Sequence, residues 1–408
     1  MELDSSSTIH SSKRHGNSAD RTNARKKLAF LICGSLDSLT GGYIYDKKMV
    51  EYLRDVRGYD VDVLSIPLGT SRWFSIFRDV WSAIRLLRRN CDLIVEDGMI
   101  YRSVAIVNSL LCRRTPLLGI IHMIDWRACR SNMSARISRV LERRMISPLS
   151  CIVVNSKDTR AQVRSLLGPA TRGDQMLSLI YPGYDSPTTF SDNKDDQAFQ
   201  GQAASRTGYS QAEEDDSSQV RILYAGQIIP RKGLHLLIEA LAMLSSDNWT
   251  LYVAGDDACD PAYTRNMIEL IKRYRLSDRI RMMGEVDRSK MRHLMASSDV
   301  FVLPTMYEAF GMSILEAQAL GVPAVAFSVG GVKEVITDGV TGVLIPPFDV
   351  EELSSALNRL LCDSSYRRQL ATSALKLKTK EFSSWEECCE RFASCVDHIQ
   401  SLKEAKPD

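Results

Sequence analysis

Between Asp299 and Phe327 the chain runs through an apolar stretch (DVFVLP, Asp299–Pro304), a polar loop, a helical stretch and a second apolar run (Val322–Phe327). Gly321 is the stop between the last two. Short apolar runs bounded by turn residues read as buried strands. Two strands joined through a helix lie parallel in one sheet, because a hairpin leaves no room for the crossover. An open parallel sheet takes its ligands outside the carboxyl ends of its strands. Glu308 falls at such an end, in the stretch EAFGMSILE (Glu308–Glu316).

The physics there suits an anion beside a polyhydroxylated group. Gly311, Met312 and Ser313 open the helix, so their backbone N–H groups lack partners within it and are ready for phosphate oxygens. Glu308 and Glu316 would repel phosphate, which leaves them the task of accepting hydrogen bonds from hydroxyl groups. On one continuous helix, residues eight apart sit about 80° around and about 12 Å along the axis. The loop before Gly311 therefore has to fold Glu308 back towards the pocket. For two isolated glutamates the ordinary reading is a helix cap and a solvated residue; here the surrounding chain argues against it.

The same alternation fills both halves. LAFLIC (Leu28–Cys33), a helix from about Tyr43 to Arg57, VDVLSI (Val61–Ile66), Leu93–Glu96, Pro116–Ile121, Cys151–Asn155 and Met176–Ile180 form one series. RILYAG (Arg221–Gly226), a helix from about Leu234, LYVAGDD (Leu251–Asp257), Ile280–Met283 and the two runs around Glu308 form another. Alternating β and α segments imply parallel sheets. At 408 residues the chain exceeds one ordinary core and suits two domains of roughly 150–200 residues. The expected order is a disordered tail (1–25), a first domain (26–185), an acidic insertion (186–219), a second domain (220–380) and a C-terminal helix (381–408) packing back. Ser186–Gln219 is too rich in Ser, Gln, Asp and Glu to offset its ordering entropy.

The net charge of +2 hides an asymmetry: residues 26–185 carry +9, residues 186–219 carry −5 and residues 220–408 carry −3. A basic first half fits an anionic acceptor or a membrane surface. Trp73–Arg89 is a basic amphipathic stretch, read either as interfacial or as a helix covering the sheet, and the strand after it favours the second. No apolar run approaches the roughly 20 residues of a membrane span, and 1–25 has no apolar core. The ten cysteines are scattered without a C-x-x-C pair, which fits idle thiols in a reducing compartment. The expected location is the cytoplasm, free or peripheral at the inner membrane face.

Several residues fall where such sheets carry chemistry. Gly41 and Gly42 open the first helix and allow close approach of a diphosphate or sugar, or simply a tight turn. His122 ends a strand in GIIHMIDW, over the crevice, and Asp125 follows to orient the imidazole or contact the acceptor. Arg231 and Lys232 stand at the strand–helix junction QIIPRKG, well placed for phosphate. Asp256 and Asp257 read as a turn and not as metal ligands.

The segments AGQIIPRKGLHLLIEAL (Ala225–Leu241), YEAFGMSILEAQALGVPAVAF (Tyr307–Phe327) and GGVKEVITDGVTGVLIPPFD (Gly330–Asp349) resemble, in order and spacing, the retaining glycosyltransferases of the GT-B fold, family 4 (glycosyl transferases group 1). Looser similarity runs from about Leu28 to about Ile399. The resemblance implies two Rossmann-like domains facing across a cleft, hinged near 181–219. It also implies a UDP- or GDP-sugar donor and transfer to a glycan, lipid-linked or small-molecule acceptor with retention, as in a hexosyltransferase. No cofactor and no metal are expected, and nucleic acid is not an expected partner. By the same resemblance Gly41 and Gly42 reach over the donor phosphates, and His122 sits beside the reacting sugar with Glu308. Lys232 binds the diphosphate, Glu285 and Val286 enclose the base, Phe310–Ser313 line the donor, and Glu316 takes the ribose. The family places an arginine where this chain has Gln227; Arg231, its neighbour in the loop, is the candidate substitute.

Two other readings compete. A dinucleotide oxidoreductase would use the same kind of sheet, but no G-x-G-x-x-G follows either opening strand. A non-catalytic sugar-nucleotide-binding or scaffold relative would explain Gln227 as decay of the donor site.

Overall fold

The computed structural model describes residues 25–37, 40–66, 91–127, 132–168, 175–185 and 219–404, with the side chains of 377–381 and 404 left aside. The expected tail, the Trp73–Arg89 helix and the acidic insertion lie outside these residues, apart from Arg25 and Gln219.

The first sheet has strands β1 (Lys27–Cys33), β2 (Asp60–Ile66), β3 (Leu93–Asp97), β4 (Leu117–Ile121), β5 (Cys151–Val154) and β6 (Met176–Leu179). They pair in the order β2-β1-β3-β4-β5-β6, every pair parallel. Strands β3, β4 and β5 are buried at every position, as both-face coverage of a parallel sheet demands. The edge strand β2 has exposed positions. Helices α1 (Gly41–Asp55), α2 (Asn132–Ile146) and α3 (Lys157–Leu167) belong to this half.

The second sheet repeats the plan with β7 (Val220–Ala225), β8 (Trp249–Ala254), β9 (Ile280–Gly284), β10 (Val300–Leu303), β11 (Ala324–Phe327) and β12 (Gly342–Ile345). Its order is β12-β11-β10-β7-β8-β9, again parallel. Strand β12 was not expected: GVLI is short and follows a Gly-rich turn, and its pairing with β11 makes it a strand. Between the strands run α4 (Leu234–Ala242), α5 (Pro261–Arg273), α6 (Arg288–Ser297) and α7 (Met312–Ala319). Helices α8 (Val350–Cys362) and α9 (Ser364–Glu381) follow.

The last helix, α10 (Trp385–Glu404), leaves the second half and packs on the first sheet. Phe392, Ala393 and Val396 are fully buried in one cluster with Leu28, Phe30 and Leu118. Burying a phenylalanine side chain stabilises by roughly 2–3 kcal/mol, so α10 is a structural strap on the first domain. Both crossings between halves touch: Tyr184 bridges Ser384, and a side chain at Gly183 would strike the Trp385 backbone at 2.5 Å.

Candidate active site

In the second sheet the strand order reverses between β7 and β10, and the crevice opens there. The loop after β7 carries Lys232, and the loop after β10 carries Glu308. Lys232 Nζ donates to Glu308 Oε2 at 2.5 Å, with side-chain exposures of 14% and 15%. The carboxylate thus neutralises the one cation expected to meet a diphosphate, and a ligand has to enter against or alongside that pair. Arg231 does something else. Its Nη1 donates to the Tyr307 carbonyl at 2.9 Å, and its own carbonyl accepts from Met306 N–H at 2.8 Å. Arg231 laces the two loops together. Gln227 donates through Nε2 to Cys259 Sγ at 3.4 Å. Asp256 accepts from the Ala258 amide and the Cys259 thiol, which makes the Asp256–Asp257 pair a turn.

Gly311 holds φ of 101°, a value side chains avoid, and turns the chain into α7 without a side-chain cap. Among the described residues the amides of Met312 and Ser313 have no acceptor. Gly330 brings the loop after β11 so close that an added Cβ would lie 2.0 Å from the Glu308 carbonyl oxygen. That carbonyl accepts from Gly331 N–H at 3.0 Å, which pins Glu308 from behind. Phe310 is buried and its ring packs at 5.6 Å from both Tyr181 and Phe382, so it supports the loop from below.

The facing wall comes from the first domain. A side-chain carbon on Gly41 would sit 2.9 Å from the Met312 sulfur, and one on Gly42 would sit 3.4 Å from His122 Cδ2. Gly41, Gly42, His122 and the opening of α7 are therefore brought together, as the sequence predicts. His122 Nε2 meets Asp46 Oδ1 at 2.9 Å, and Asp97 completes a buried cluster. Of the two roles expected of Asp125, orienting the imidazole or contacting the acceptor, the Nε2 contact with the imidazole falls to Asp46. Asp125 accepts from Tyr101 Oη at 2.7 Å and pairs with Arg102 at 3.4 Å, and its own amide donates to Glu142 at 2.5 Å. Asp46 was legible all the same: Asp46, Met49, Val50 and Leu53 lie on one buried helix face, and a carboxylate there needs a partner.

The Glu316 side chain makes no hydrogen bond or ion pair among the described residues. Loss of hydration pushes its carboxyl up to about 7, with the nearby Arg288 and Arg292 acting against that and Asp185 adding to it. Glu285 is exposed, whereas Val286 is buried in the core and has only its backbone to offer a ligand. The two walls are tied by Glu334, just after Gly331. Its carboxylate accepts from the Lys157 and Asp158 amides, at 2.9 and 3.0 Å, and from Tyr181 Oη at 2.8 Å. A second-domain carboxylate thus caps a first-domain helix. Sequence reasoning missed that contact, because Glu334 reads as a surface helix residue.

Residues 205–377 match the family described as glycosyl transferases group 1. Over those residues the chain is similar to the group 1 glycosyl transferases. The alpha-D-kanosaminyltransferase of Streptomyces kanamyceticus is 34% identical over 164 residues, which cover 40% of this chain and 42% of that protein. This chain spans about half the length of the curated relatives it matches. The sucrose-phosphate synthase of Thermosynechococcus elongatus superposes with a TM-score of 0.74 at 21% identity, over 93% of this chain and all of that one. The Anabaena HepE protein solved with UDP-glucose gives 0.69 at 20%, over 91% and 99%. These superpositions show the fold. The two sheets with their helices form the GT-B pair of Rossmann-like domains across a cleft.

Proposed function

We propose that the chain is a retaining glycosyltransferase that moves a sugar from a UDP- or GDP-sugar to a glycan, lipid-linked or small-molecule acceptor. The observation that carries the reading is the meeting of four elements in one cleft: the Lys232–Glu308 pair, the open amides of α7, the Gly41–Gly42 turn and His122. The HepE protein's complex with UDP-glucose, in the same fold, supports a nucleotide-sugar donor.

The chemistry divides among these residues. Lys232 and the amides at Gly311–Ser313 hold the diphosphate without a metal, and stabilising charge that grows on this leaving group lowers the barrier. Glu308, shared between Lys232 and the sugar hydroxyls, positions the donor sugar. Glu316 accepts from the ribose, and His122 contacts the sugar near its reacting end. The departing diphosphate takes the acceptor's proton, so no glycosyl-enzyme forms and the configuration is retained. The acceptor sits on the +9 first domain, which favours an anionic one.

Gln227, where the family has an arginine, favours a second reading: a relative that binds sugar nucleotides without turning them over. A panel of UDP- and GDP-sugars in a thermal-shift assay tests the donor. A ligand at 100 times its dissociation constant stabilises by about 2.7 kcal/mol. Stabilisation by one nucleotide sugar together with its slow hydrolysis supports the transferase. Stabilisation without hydrolysis supports the binding relative, and stabilisation by none sinks both.

A further inference from the structure

His122 does not stand alone at the end of β4. Asp46, on the buried face of α1, accepts or shares the Nε2 proton at 2.9 Å and is itself fully buried. Asp97, at the end of β3, is 1% exposed and accepts the Met99 amide at 3.0 Å. Ligating atoms of the three residues lie within 4.8 Å of one another. The second oxygen of Asp46, Oδ2, is buried without a partner.

Charge balance constrains this trio. No lysine or arginine among the described residues pairs with either carboxylate. Two ionised carboxylates side by side in a dry interior repel strongly, so one of them has to keep its proton. The charge that remains needs a cation, and the imidazole is the cation within reach. The other titratable neighbours are Tyr45, whose ring meets His122 edge-on at 5.3 Å, and Tyr43; burial pushes both phenols up, so both stay neutral. Nε2–H is committed to Asp46. That leaves Nδ1, which has no partner among the described residues, as the ring nitrogen for a ligand; Gly42 lies against the opposite edge of the ring, where a Cβ would sit 3.4 Å from Cδ2.

We propose that Asp46 is a positioning residue that holds His122 as an imidazolium, so that His122 presents an Nδ1–H donor, and not a lone pair, to the substrate in the cleft. A neutral ring donating Nε2–H to Asp46 would offer Nδ1 as an acceptor, which is the opposite recognition chemistry. The charged ring instead seeks an oxygen acceptor, such as a sugar hydroxyl oxygen or a phosphate oxygen of the substrate. Of the two carboxyls, Asp97 is the one that takes the proton more readily. Burial, and then the Asp46 charge, push its carboxyl up to about 7. For His122, burial alone would pull the ring down, but Asp46 and then Asp97 hold it above its ordinary value. A divalent cation is the competing occupant of the trio. The substrate's identity as a sugar nucleotide rests on the function proposed above; the charge state of His122 does not.

The test is ¹⁵N NMR of the full chain labelled at histidine, with the His122 signals assigned by their loss in His122→Gln. At pH 7 the wild type is expected to show both ring nitrogens of His122 protonated. Asp46→Asn removes the adjacent charge and should lower the His122 midpoint by roughly 1–3 pH units. Asp97→Asn should lower the midpoint less than Asp46→Asn does, because Asp97 makes no hydrogen bond to the ring among the described residues. Should Asp46→Asn fail to fold, the wild-type titration and Asp97→Asn still decide. A neutral His122 in the wild type at pH 7 overturns the proposal, as does a midpoint unmoved in Asp46→Asn. Stoichiometric broadening of the His122 nitrogens by added manganese overturns it too, and would make the trio a ligand set. In donor hydrolysis, Asp46→Asn should shift the alkaline limb of the kcat profile to lower pH, a change that a loss of packing alone does not produce. If no nucleotide sugar is turned over while the imidazolium is observed, the function reading fails and the positioning role of Asp46 stands.

Discussion

Removing Glu334 should open the cleft. Its carboxylate bonds two first-domain amides, Lys157 at 2.9 Å and Asp158 at 3.0 Å, and receives Tyr181 Oη at 2.8 Å. These amides start α3, where the helix dipole adds to the attraction. A hydrogen bond to a charged group is worth roughly 1.5–3 kcal/mol. Water replaces part of that when the domains part, and the three bonds are not additive, so Glu334→Ala should weaken closure by about 2–4 kcal/mol. That is roughly a 30- to 1,000-fold shift towards the open form. A neighbouring cross-domain bond, Gln162 to Tyr307 Oη at 3.3 Å, is too long to compensate. Hydrogen exchange reads the effect at the Lys157 and Asp158 amides, and small-angle scattering reads the radius of gyration. Faster exchange at those two amides with a larger radius is the expected result. Unchanged exchange and an unchanged radius in Glu334→Ala would refute the latch.

Lys232→Ala should cost donor affinity about 10- to 150-fold in isothermal titration. Arg231→Ala should act mainly through loop order, since its guanidinium holds the Tyr307 carbonyl; a greater affinity loss from Arg231→Ala would reverse the assignment. Glu308→Gln should depress turnover more than nucleotide affinity, and Glu316→Gln the reverse. Glu316, raised to about 7, is charged only above that pH, so nucleotide affinity should rise between pH 6 and 8 in the wild type and stay flat in Glu316→Gln. Glu96, buried beside Asn108, is pushed up by burial to about 8. The fold holds a proton there that the unfolded chain releases from about pH 4.5, so stability is lost as pH rises from that value through 8. Glu96→Gln should therefore raise stability at pH 9, by up to about 5 kcal/mol, and with it the melting temperature, and give no gain at pH 4; an equal effect at both would contradict it.

Much of the fold was legible because parallel strands buried on both faces read as continuous apolar runs, as in LLGII of β4 and AVAF of β11. The strand β12 escaped because its four residues acquire their identity from pairing, which a local pattern does not carry. The site residues His122, Lys232 and Glu308 could be named because each sits at the carboxyl end of a strand. What they touch could not be read in the same way. The Lys232–Glu308 pair joins residues far apart in sequence, and Glu334 reaches into another domain. Nearness in sequence points to Asp125 as a partner of the imidazole or of the acceptor, while Asp46 reaches the ring from α1. The sequence distance between Asp46 and His122, 76 residues, hid the contact that the helix pattern of α1 hinted at.

The central claim is tested most directly by following the hydrolysis of the stabilising nucleotide sugar by proton NMR, with no acceptor added, and reading the anomeric signal of the released sugar before it mutarotates. An α-linked donor should release the α-anomer first together with the nucleoside diphosphate. Early appearance of the β-anomer would contradict retention, and with it the assignment of the Lys232–Glu308 cleft as a retaining transfer site.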